Sequence, residues 1–179
     1  VLNATAASVL AIEEGISLIN VKSALEKFSG ISRRMQFLGK LDQTVVIDDY
    51  GHHPTEIKNT ILTLRESFPE SEITMVFQPH RFTRTKDLYK EFVEVLKSVE
   101  RLILLEIYSA GEEAIDGISS TTLLESIKNT GFEDVFLAQS NAQADELIES
   151  IISKQKGVLL IQGAGNISEI SDKLSQKIK

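Results

Sequence analysis

The sequence predicts an α/β fold: a doubly wound, mostly parallel sheet with helices on both faces, preceded by two short helices. Short apolar runs alternate with stretches of helical periodicity along most of the chain, which is the pattern of a parallel sheet with crossover helices. Three of these runs are apolar throughout, as expected of strands covered on both faces: Val45–Ile47, Leu102–Leu105 and Val158–Ile161. The length of 179 residues fits one such domain with a small addition.

Two short helices are predicted before the sheet begins. The first covers residues 2–14 and stops at Gly15, and the second is capped by Ser17 and ends at Gly30. The chain lacks an initiator Met and its helical pattern starts at once. We therefore interpret it as part of a longer protein, with the helical pair as the tail of a preceding domain.

Strands and helices then follow in alternation. Strands are predicted over residues 36–38, 44–47, 73–77, 102–107, 135–138 and 158–161. Helices are predicted from Pro54 onward and over residues 86–99, 121–128, 144–154 and 167–178. In the helix after Pro54, the residues expected to face the core are Ile57, Ile61, Leu62 and Leu64. We expect Thr85 to be the N-cap of the 86–99 helix.

Composition limits the function classes. The net charge of −7 disfavours broad electrostatic binding of nucleic acid, although a small anion could bind at a local basic cluster such as His80–Lys86. Neither a membrane-spanning stretch nor a signal-peptide pattern is visible, so we expect no membrane insertion. The absence of cysteine excludes disulfides and thiolate metal sites and is compatible with the cytoplasm.

All three histidines lie in two polar segments, each of which follows a predicted strand. The first segment is Asp48–Glu56, with the sequence DDYGHHPTE, and the second is Gln78–Thr85, with the sequence QPHRFTRT. In an open parallel sheet, the loops at the carboxyl ends of the strands line the ligand crevice. We therefore expect these two loops to meet and to bring imidazole, guanidinium and carboxylate groups to one ligand.

Each motif also has a plainer interpretation. Asp, Gly and Pro are ordinary turn residues, so the first loop could be an exposed turn. Two Asp and three His could instead hold a metal ion, for example in a hydrolase that uses Asp49, His52 and His80, but the spacing lacks H-E-x-x-H and we predict no metal site. Gly163-Ala164-Gly165 has Ser168 where a dinucleotide fingerprint needs a third Gly, so these glycines predict a tight turn and a close backbone approach.

Three motifs together resemble the C-terminal part of the Mur ligases, the enzymes that build the peptide of peptidoglycan: DDYGHHPTE, FQPHRFTRT and QGAGNIS. The opening VLNATAA resembles the end of the family's H-N-x-x-N motif, with Asn3 as its second Asn, and Arg33-Arg34 resembles the arginine at the entry to the C-terminal domain. The resemblance covers essentially the whole chain. The HRFTRT stretch points to the alanine-adding branch, and the branch that recycles murein tripeptide, which shares the HHP loop, is the alternative.

The resemblance implies a three-domain, cytoplasmic enzyme that joins L-alanine to UDP-N-acetylmuramate through an acyl phosphate. Residues 1–30 would be a helical remnant of the central ATP-binding domain, and residues 31–179 the C-terminal Rossmann-like domain. ATP and Mg²⁺ would be held mainly by the central domain, because this chain has no G-x-x-x-x-G-K-[ST] loop. The partners would be the enzyme's own N-terminal and central domains, and the 179 residues alone are expected to lack ligase activity.

The resemblance also implies roles for individual residues. Those placed around ATP are Asn3 at the adenine, Arg34 at the phosphates and Asp49 at the ribose. Those placed around the amino acid and the muramyl carboxylate are Tyr50, His52, His80, Arg81 and Arg84, of which His52, His80 and Arg81 would be catalytic. Which histidine acts as the base stays open. A non-catalytic module that binds an anion or an amino acid is the second alternative.

Overall fold

Two units, with their boundary between Ser32 and Arg33, make up the computed structural model, which describes residues 2–152 and 156–178. The first unit contains α1 (Leu2–Glu13) and α2 (Leu18–Lys27). Gly15 has a φ of +83°, a conformation that glycine adopts without steric cost, and so it ends α1 as predicted. The Ser17 hydroxyl accepts a hydrogen bond from the Asn20 N–H at 3.3 Å, which confirms the predicted cap of α2.

The second unit is built on a six-stranded sheet. Its strands are β1 (Gln36–Leu41), β2 (Thr44–Asp49), β3 (Glu72–Phe77), β4 (Arg101–Leu105), β5 (Val135–Ala138) and β6 (Gly157–Gln162). Its helices are α3 (Pro54–Ser67), α4 (Phe82–Asp87), α5 (Tyr89–Leu96), α6 (Ser120–Lys128), α7 (Asn141–Ile152) and α8 (Ser168–Lys177). The strand order is β1-β2-β6-β3-β4-β5, and every neighbouring pair is parallel except β1 and β2. The predicted fold class is confirmed.

Helices cover both faces of this sheet. The strands contribute alternate side chains to two apolar clusters, so that Leu102 and Leu104 of β4 enter one cluster and Ile103 and Leu105 enter the other. Helices α3, α5 and α6 pack into the first cluster, and α7 and α8 pack into the second. This arrangement explains why three strands are apolar throughout. Among the described residues, none of the helices combines the length and apolar composition that crossing a bilayer requires.

Strand β6 lies between β2 and β3 and is parallel to both. Its last residue, Gln162, is opposite Asp49 of β2 and Phe77 of β3. The three strands therefore end level with one another. As a result, the polar loops that follow β2 and β3 emerge on either side of the loop that follows β6.

The predicted 86–99 helix is instead two helices. Helix α4 begins at Phe82, and Leu88, with a φ of −113°, separates it from α5. Thr85 is therefore not an N-cap as predicted: it is buried inside α4, and its hydroxyl donates to the Arg81 carbonyl at 2.8 Å. Helix α7 starts three residues earlier than predicted because the Ser140 hydroxyl accepts from the Gln143 N–H at 3.2 Å and caps it. Residues 153 and 154, which the prediction included, lie outside the described residues.

The prediction that Leu62 faces the core is wrong. Its side chain is 49% exposed, whereas Ile57, Ile61 and Leu64 are at most 4% exposed. Residues four and three apart on a helix share one face, which places these three side chains on the stripe that packs against the sheet. Leu62 lies five residues after Ile57 and so falls outside that stripe.

Leu62 and Leu64 form a matched pair for testing this helix. We expect Leu64→Ala to lower the free energy of unfolding by about 2–5 kcal/mol, because it removes a fully buried side chain and leaves a cavity. Leu62→Ala should change it by no more than about 0.5 kcal/mol, since that side chain already contacts water. Urea denaturation of the two variants and the parent chain measures both values. Equal losses for the two leucines would show that α3 is rotated relative to this description.

Candidate active site

The loop after β2 and the loop after β3 meet at the carboxyl edge of the sheet. The ring centroids of His52, from the first loop, and His80, from the second, are 5.5 Å apart, and their planes are inclined by 37°. We call the region formed by residues 50–53 and 78–84 the two-loop site. The predicted convergence of the two polar segments is therefore present.

Helix α3 fixes the first loop through its own N-terminus. The Glu56 carboxylate accepts hydrogen bonds from the N–H groups of His52, at 3.0 Å, and His53, at 3.1 Å. His53 Nδ1 accepts from the Thr55 N–H at 3.2 Å, so His53 is the N-cap of the helix. These contacts give the neighbouring histidines different tasks. His53 holds the helix, and His52 is the histidine that faces His80.

Tyr108, in the loop after β4, fixes the second loop. The Arg81 N–H donates to the Tyr108 carbonyl at 2.8 Å, and the Tyr108 N–H donates to the Pro79 carbonyl at 2.9 Å. The Tyr108 and His80 rings are stacked with centroids 5.5 Å apart. Arg81 has a φ of +76°, a strained conformation for a residue with a side chain. The contacts to Tyr108 and to α4 stabilise that conformation at the point where the loop enters the helix.

Hydrogen-bond partners assign opposite tautomers to the two facing histidines. His52 Nδ1 lies 3.2 Å from the Tyr50 carbonyl, which can only accept, so this nitrogen carries the proton and Nε2 has the lone pair. His80 Nδ1 lies 3.2 Å from Arg84 Nη1, which can only donate, so here Nδ1 accepts and Nε2 carries the proton. In the neutral state, the site therefore presents one imidazole acceptor and one imidazole donor.

Both imidazoles favour the neutral form. Partial burial lowers the pKa of His52, and the Arg84 and Arg34 guanidinium groups lower it further, against the Tyr50 carbonyl and Glu56, which raise it. Partial burial also lowers the pKa of His80, and the charges of His52, Arg84 and Arg81 add to this effect, against Glu112. The nearby His52 ring thus contributes to the lowered pKa of His80.

Of the two adjacent arginines before β1, one is structural and the other is exposed. Arg33 forms an ion pair with the buried Asp48, Nε to Oδ2 at 3.2 Å, and its Nη2 donates to the Gly163 carbonyl at 2.6 Å. Arg34 is half exposed, and its nearest acidic partner is Glu56 at 3.9 Å. Both guanidinium groups lie over the Tyr50 ring, at 5.3 and 5.5 Å from its centroid. Arg34 is thus the arginine available to a ligand.

Asp49 is held inside the protein by hydrogen bonds. Its Oδ2 accepts from the Met35 N–H at 2.9 Å, and its Oδ1 accepts from Gln162 Nε2 at 2.7 Å and the Gly51 N–H at 2.8 Å. The Thr60 hydroxyl adds a longer bond at 3.3 Å. With a side chain that is almost completely buried, Asp49 connects β2 to β6, to α3 and to Met35, the residue that precedes β1. The predicted role of Asp49 at a ribose stays a prediction, and in this conformation its oxygens are already bonded.

The glycine turn after β6 leaves room for the side chain of Gln78, the residue that follows β3. A Cβ atom on Gly165 would lie 2.3 Å from Gln78 Oε1 and 2.8 Å from the Tyr108 side chain, so only glycine fits there. The Gln78 side chain donates to Asn166 Oδ1 at 2.8 Å and accepts from the Ile167 N–H at 3.0 Å. The turn therefore permits a close approach of protein groups, which is the structural interpretation of the glycine motif.

Asn3 belongs to the first unit, where it lies in the first turn of α1. It lines an open, largely apolar groove of about 470 Å³ formed by residues of α1, α2 and the segments that follow each helix. Its predicted role beside adenine stays a prediction.

The described residues offer no cluster of three or more His, Asp or Glu side chains that could hold a metal ion. Asp49, the acidic member of the metal site considered for a hydrolase, accepts hydrogen bonds from backbone and amide groups instead.

A family model described as Mur ligase, glutamate ligase domain, matches residues 33–165. The chain belongs to the Mur ligase family. The family consists of ATP-dependent ligases that form amide bonds, and this chain contains the family's C-terminal domain.

Solved structures of Mur ligases share the fold over nearly the whole chain. UDP-N-acetylmuramate-alanine ligase MurC from Thermotoga maritima is 28% identical, with a TM-score of 0.76 over 98% of this chain. The murein peptide ligase from Psychrobacter arcticus is 22% identical, with a TM-score of 0.65 over 98%. The UDP-N-acetylmuramoylalanyl-D-glutamyl-2,6-diaminopimelate–D-alanyl-D-alanyl ligase from Acinetobacter baumannii is 17% identical, with a TM-score of 0.67 over 97%. The chain spans 36% of the length of each of these three proteins.

The lowered histidine pKa values predict a pH-dependent stability. As the pH falls below about 6.5, the ordinary histidine value, the unfolded chain binds protons before the folded one, so the free energy of unfolding decreases. Urea denaturation between about pH 5 and 7.5 measures this slope, and His52→Gln and His80→Gln should each reduce it. NMR titrations in which both imidazoles protonate at or above their ordinary value would contradict the prediction.

Gln162 offers a second test of the site's construction. We expect Gln162→Met to lower the free energy of unfolding by about 1–3 kcal/mol, because Asp49 Oδ1 and the Gly51 carbonyl each lose a buried donor. Gln139→Met is the matched control at an exposed position and should change the stability by no more than about 0.5 kcal/mol. Thermal or urea unfolding compares the two. A Gln162→Met protein as stable as the parent would mean that the amide does not join these strands.

Proposed function

We propose that this chain is the C-terminal domain of a UDP-N-acetylmuramate–L-alanine ligase, which joins L-alanine to UDP-N-acetylmuramate with ATP through an acyl phosphate. The observation that carries the proposal is the two-loop site itself: two neutral imidazoles of opposite tautomer beside two arginines. This set of groups matches the needs of a reaction between an amino acid and an activated carboxyl group.

Arg81 and Arg84 supply the positive charge. The Arg81 side chain is 46% exposed, and its Nη1 lies 3.4 Å from Glu112. Arg84 Nη1 contacts both the Nδ1 and the carbonyl oxygen of His80, which fixes this guanidinium beside the ring. A guanidinium group binds a carboxylate or phosphate through paired N–H groups. We assign the amino acid's carboxylate to Arg81, and the charge that develops on the reacting carbonyl to Arg84.

His52 is the stronger candidate for the base. Free alanine carries an ammonium group, which must lose a proton before its nitrogen can attack a carbonyl. The lone pair on His52 Nε2 can accept that proton, whereas His80 has its proton on Nε2 and can donate to an oxygen. The lowered pKa of each ring keeps both in these neutral states near pH 7. Tyr50, whose ring lies against His52 in an edge-to-face contact at 5.4 Å, would form the wall of the substrate site.

The ATP-facing roles rest on fewer groups of this chain. The exposed guanidinium of Arg34 fits a role at the phosphates, which is the chemistry that arginine provides there. Asn3 would lie beside the adenine. A ribose role for Asp49 would require a ligand hydroxyl to replace one of its present donors. Mg²⁺ and most contacts to ATP would come from the central domain, of which residues 1–30 would be the tail.

The choice of L-alanine is supported by the 28% identity to an alanine ligase over 98% of the chain. Because the chain spans 36% of that protein, the UDP-sugar site and the nucleotide site would lie on the other domains. The proposal therefore includes the enzyme's own N-terminal and central domains as partners. It also places the reaction in the cytoplasm, where ATP is available. The 179-residue chain alone should form no amide.

Arginine substitutions in the full-length ligase that contains this chain test the assignment. Arg81→Ala and Arg84→Ala should each lower kcat/KM for L-alanine by about 100-fold or more, because each removes a cation from the reacting charges. ATP binding should be retained in both. Lys128→Ala, which removes a positive charge from the last turn of α6, is the control and should leave both quantities unchanged. Initial rates at varied alanine and calorimetric titration with ATP provide the measurements.

Loss of ATP binding in the arginine variants would assign these side chains to the nucleotide site. Unchanged use of alanine would show that they have no role in the reaction. Amino-acid identity is decided in the parent enzyme by offering L-alanine and a murein tripeptide separately with ATP and UDP-N-acetylmuramate. Amide formation with the tripeptide but not with L-alanine would identify the enzyme as the recycling ligase. Binding of either compound without ATP turnover would select the non-catalytic module.

A further inference from the structure

The loop between β4 and α6, residues 106–119, reaches the two-loop site through one side chain. The Glu112 carboxylate accepts a hydrogen bond from the Thr83 N–H at 3.0 Å and another from the Thr83 hydroxyl at 2.7 Å. The same carboxylate lies 3.4 Å from Arg81 Nη1. Glu112 thus contacts the first turn of α4 and the arginine that precedes it.

Helix α4 depends on this outside contact for its N-terminal cap. Its N-cap residue is Arg81, whose side chain makes no capping hydrogen bond. The first N–H groups of a helix need acceptors, and a carboxylate at that end also interacts favourably with the helix dipole. Glu112 accepts from the Thr83 N–H, 29 residues away in sequence. It thus supplies the acceptor that the local sequence lacks.

The backbone of the loop is shaped to present Glu112 to α4. Ala110 has a φ of +51° and Gly111 a φ of +86°, so two successive residues turn through the left-handed region just before the glutamate. The Glu112 N–H then donates to the Ser109 carbonyl at 3.1 Å and closes the turn. Tyr108, at the start of this segment, carries the main-chain contacts to Pro79 and Arg81. One loop therefore fixes both the backbone and the side chain of Arg81.

We propose that Glu112 is a positioning residue of the ligase: it orients the Arg81 guanidinium and the first turn of α4 so that Arg81 can bind the amino acid's carboxylate. This inference rests on the proposed function. Glu112 acts through Arg81 and Thr83 and is not placed on the substrate. A single ion-pair contact to Nη1 leaves the far side of the Arg81 fork for a ligand, which is the geometry that a positioning carboxylate requires.

Kinetics of the full-length ligase separate positioning from catalysis. Glu112→Ala should raise KM for L-alanine by about tenfold, because an arginine free to rotate no longer presents its fork in one orientation. The KM values for ATP and for UDP-N-acetylmuramate should not change. Glu112→Gln keeps an oxygen that can accept from Thr83 but loses the charge, so its KM should be intermediate. Glu113→Gln, at the exposed neighbouring position, is the matched control and should match the parent enzyme.

A spectroscopic measurement on the 179-residue chain gives a second answer that needs no activity. His80 faces His52, Arg84, Arg81 and Glu112, and Glu112 is the group among these that raises its pKa. Removing that negative charge in Glu112→Gln should make the His80 imidazole titrate at a lower pH in NMR. The Thr83 amide resonance should also shift in Glu112→Ala. Glu113→Gln should change neither signal.

The outcomes are distinct. If Arg81→Ala abolishes alanine use while Glu112→Ala leaves KM for alanine unchanged, the inference is overturned and the proposed function stands. If Arg81→Ala leaves alanine use intact, the assignment of Arg81 to the amino acid's carboxylate fails and this inference fails with it, whereas a parent enzyme that forms no amide with L-alanine overturns the proposed function itself. Should Glu112→Ala not fold, Glu112→Gln decides. An unchanged His80 titration together with an unchanged KM in that variant overturns the inference.

Discussion

The buried amide of Gln162 is the contact on which the two-loop site depends. From the end of β6 it donates to Asp49 Oδ1 and to the Gly51 carbonyl, and thereby fastens the loop after β2 to the central strand. On the other side of β6, Gln78 makes the equivalent connection to the turn at Asn166 and Ile167. Buried polar groups are costly unless each finds its partner. Gln162 Nε2 has both of its partners, whereas Gln162 Oε1 has none among the described residues, and Gln78 is bonded through both its Nε2 and its Oε1. These bonds favour one register and one loop conformation. The convergence of His52 and His80 follows from that register.

Charge at the site is concentrated within a protein of net charge −7. Arg34, Arg81 and Arg84 lie around two imidazoles. Partial burial lowers the pKa of both rings, and positive charge lowers it further, from Arg84 and Arg34 at His52 and from Arg84 and Arg81 at His80. The same positive charge favours an anionic ligand at this edge of the sheet. Acidic residues counter it at defined points, with Glu56 beside Arg34 and Glu112 beside Arg81. The site thus combines neutral histidines with fixed cations, which is a combination that water-exposed side chains alone do not provide.

Local sequence was sufficient for the fold and for the place of the site. Apolar runs identified the buried strands, and the rule that parallel strands end at one edge brought the His52 and His80 loops together. Periodicity also found the core face of α3, but it included Leu62, because four apolar residues in eight positions do not define a stripe uniquely. The start of α4 does not follow from local sequence, because the acceptor at its first turn is Glu112, 29 residues away, whereas the predicted cap was the local residue Thr85.

The residues of the site that were not predicted share one property: their partners are distant in sequence. Gln78, Tyr108, Glu112 and Gln162 act through contacts with residues between 27 and 113 positions away. A single sequence carries no pattern for such pairs, since neither helical nor strand periodicity links them. The glutamines at the ends of β3 and β6 were visible as polar residues that close apolar strands. A polar residue at the end of an apolar strand was the available sequence signal for these contacts. Such a side chain bonds to the neighbouring loops and does not pack in the core.

The placement of β6 has a consequence for how the protein is made. Strand β6, residues 157–162, lies between β2 and β3. More than 100 residues of chain therefore separate β2, which precedes the His52 loop, from the strand whose Gln162 holds that loop in place. A ribosome that has released β2, β3 and both histidine loops has not yet produced the element that aligns them. Contacts of such long sequence separation form late and slowly during folding. Reactive groups are therefore assembled only after nearly the entire domain has been synthesised, and a nascent or truncated chain holds the same side chains without their mutual geometry.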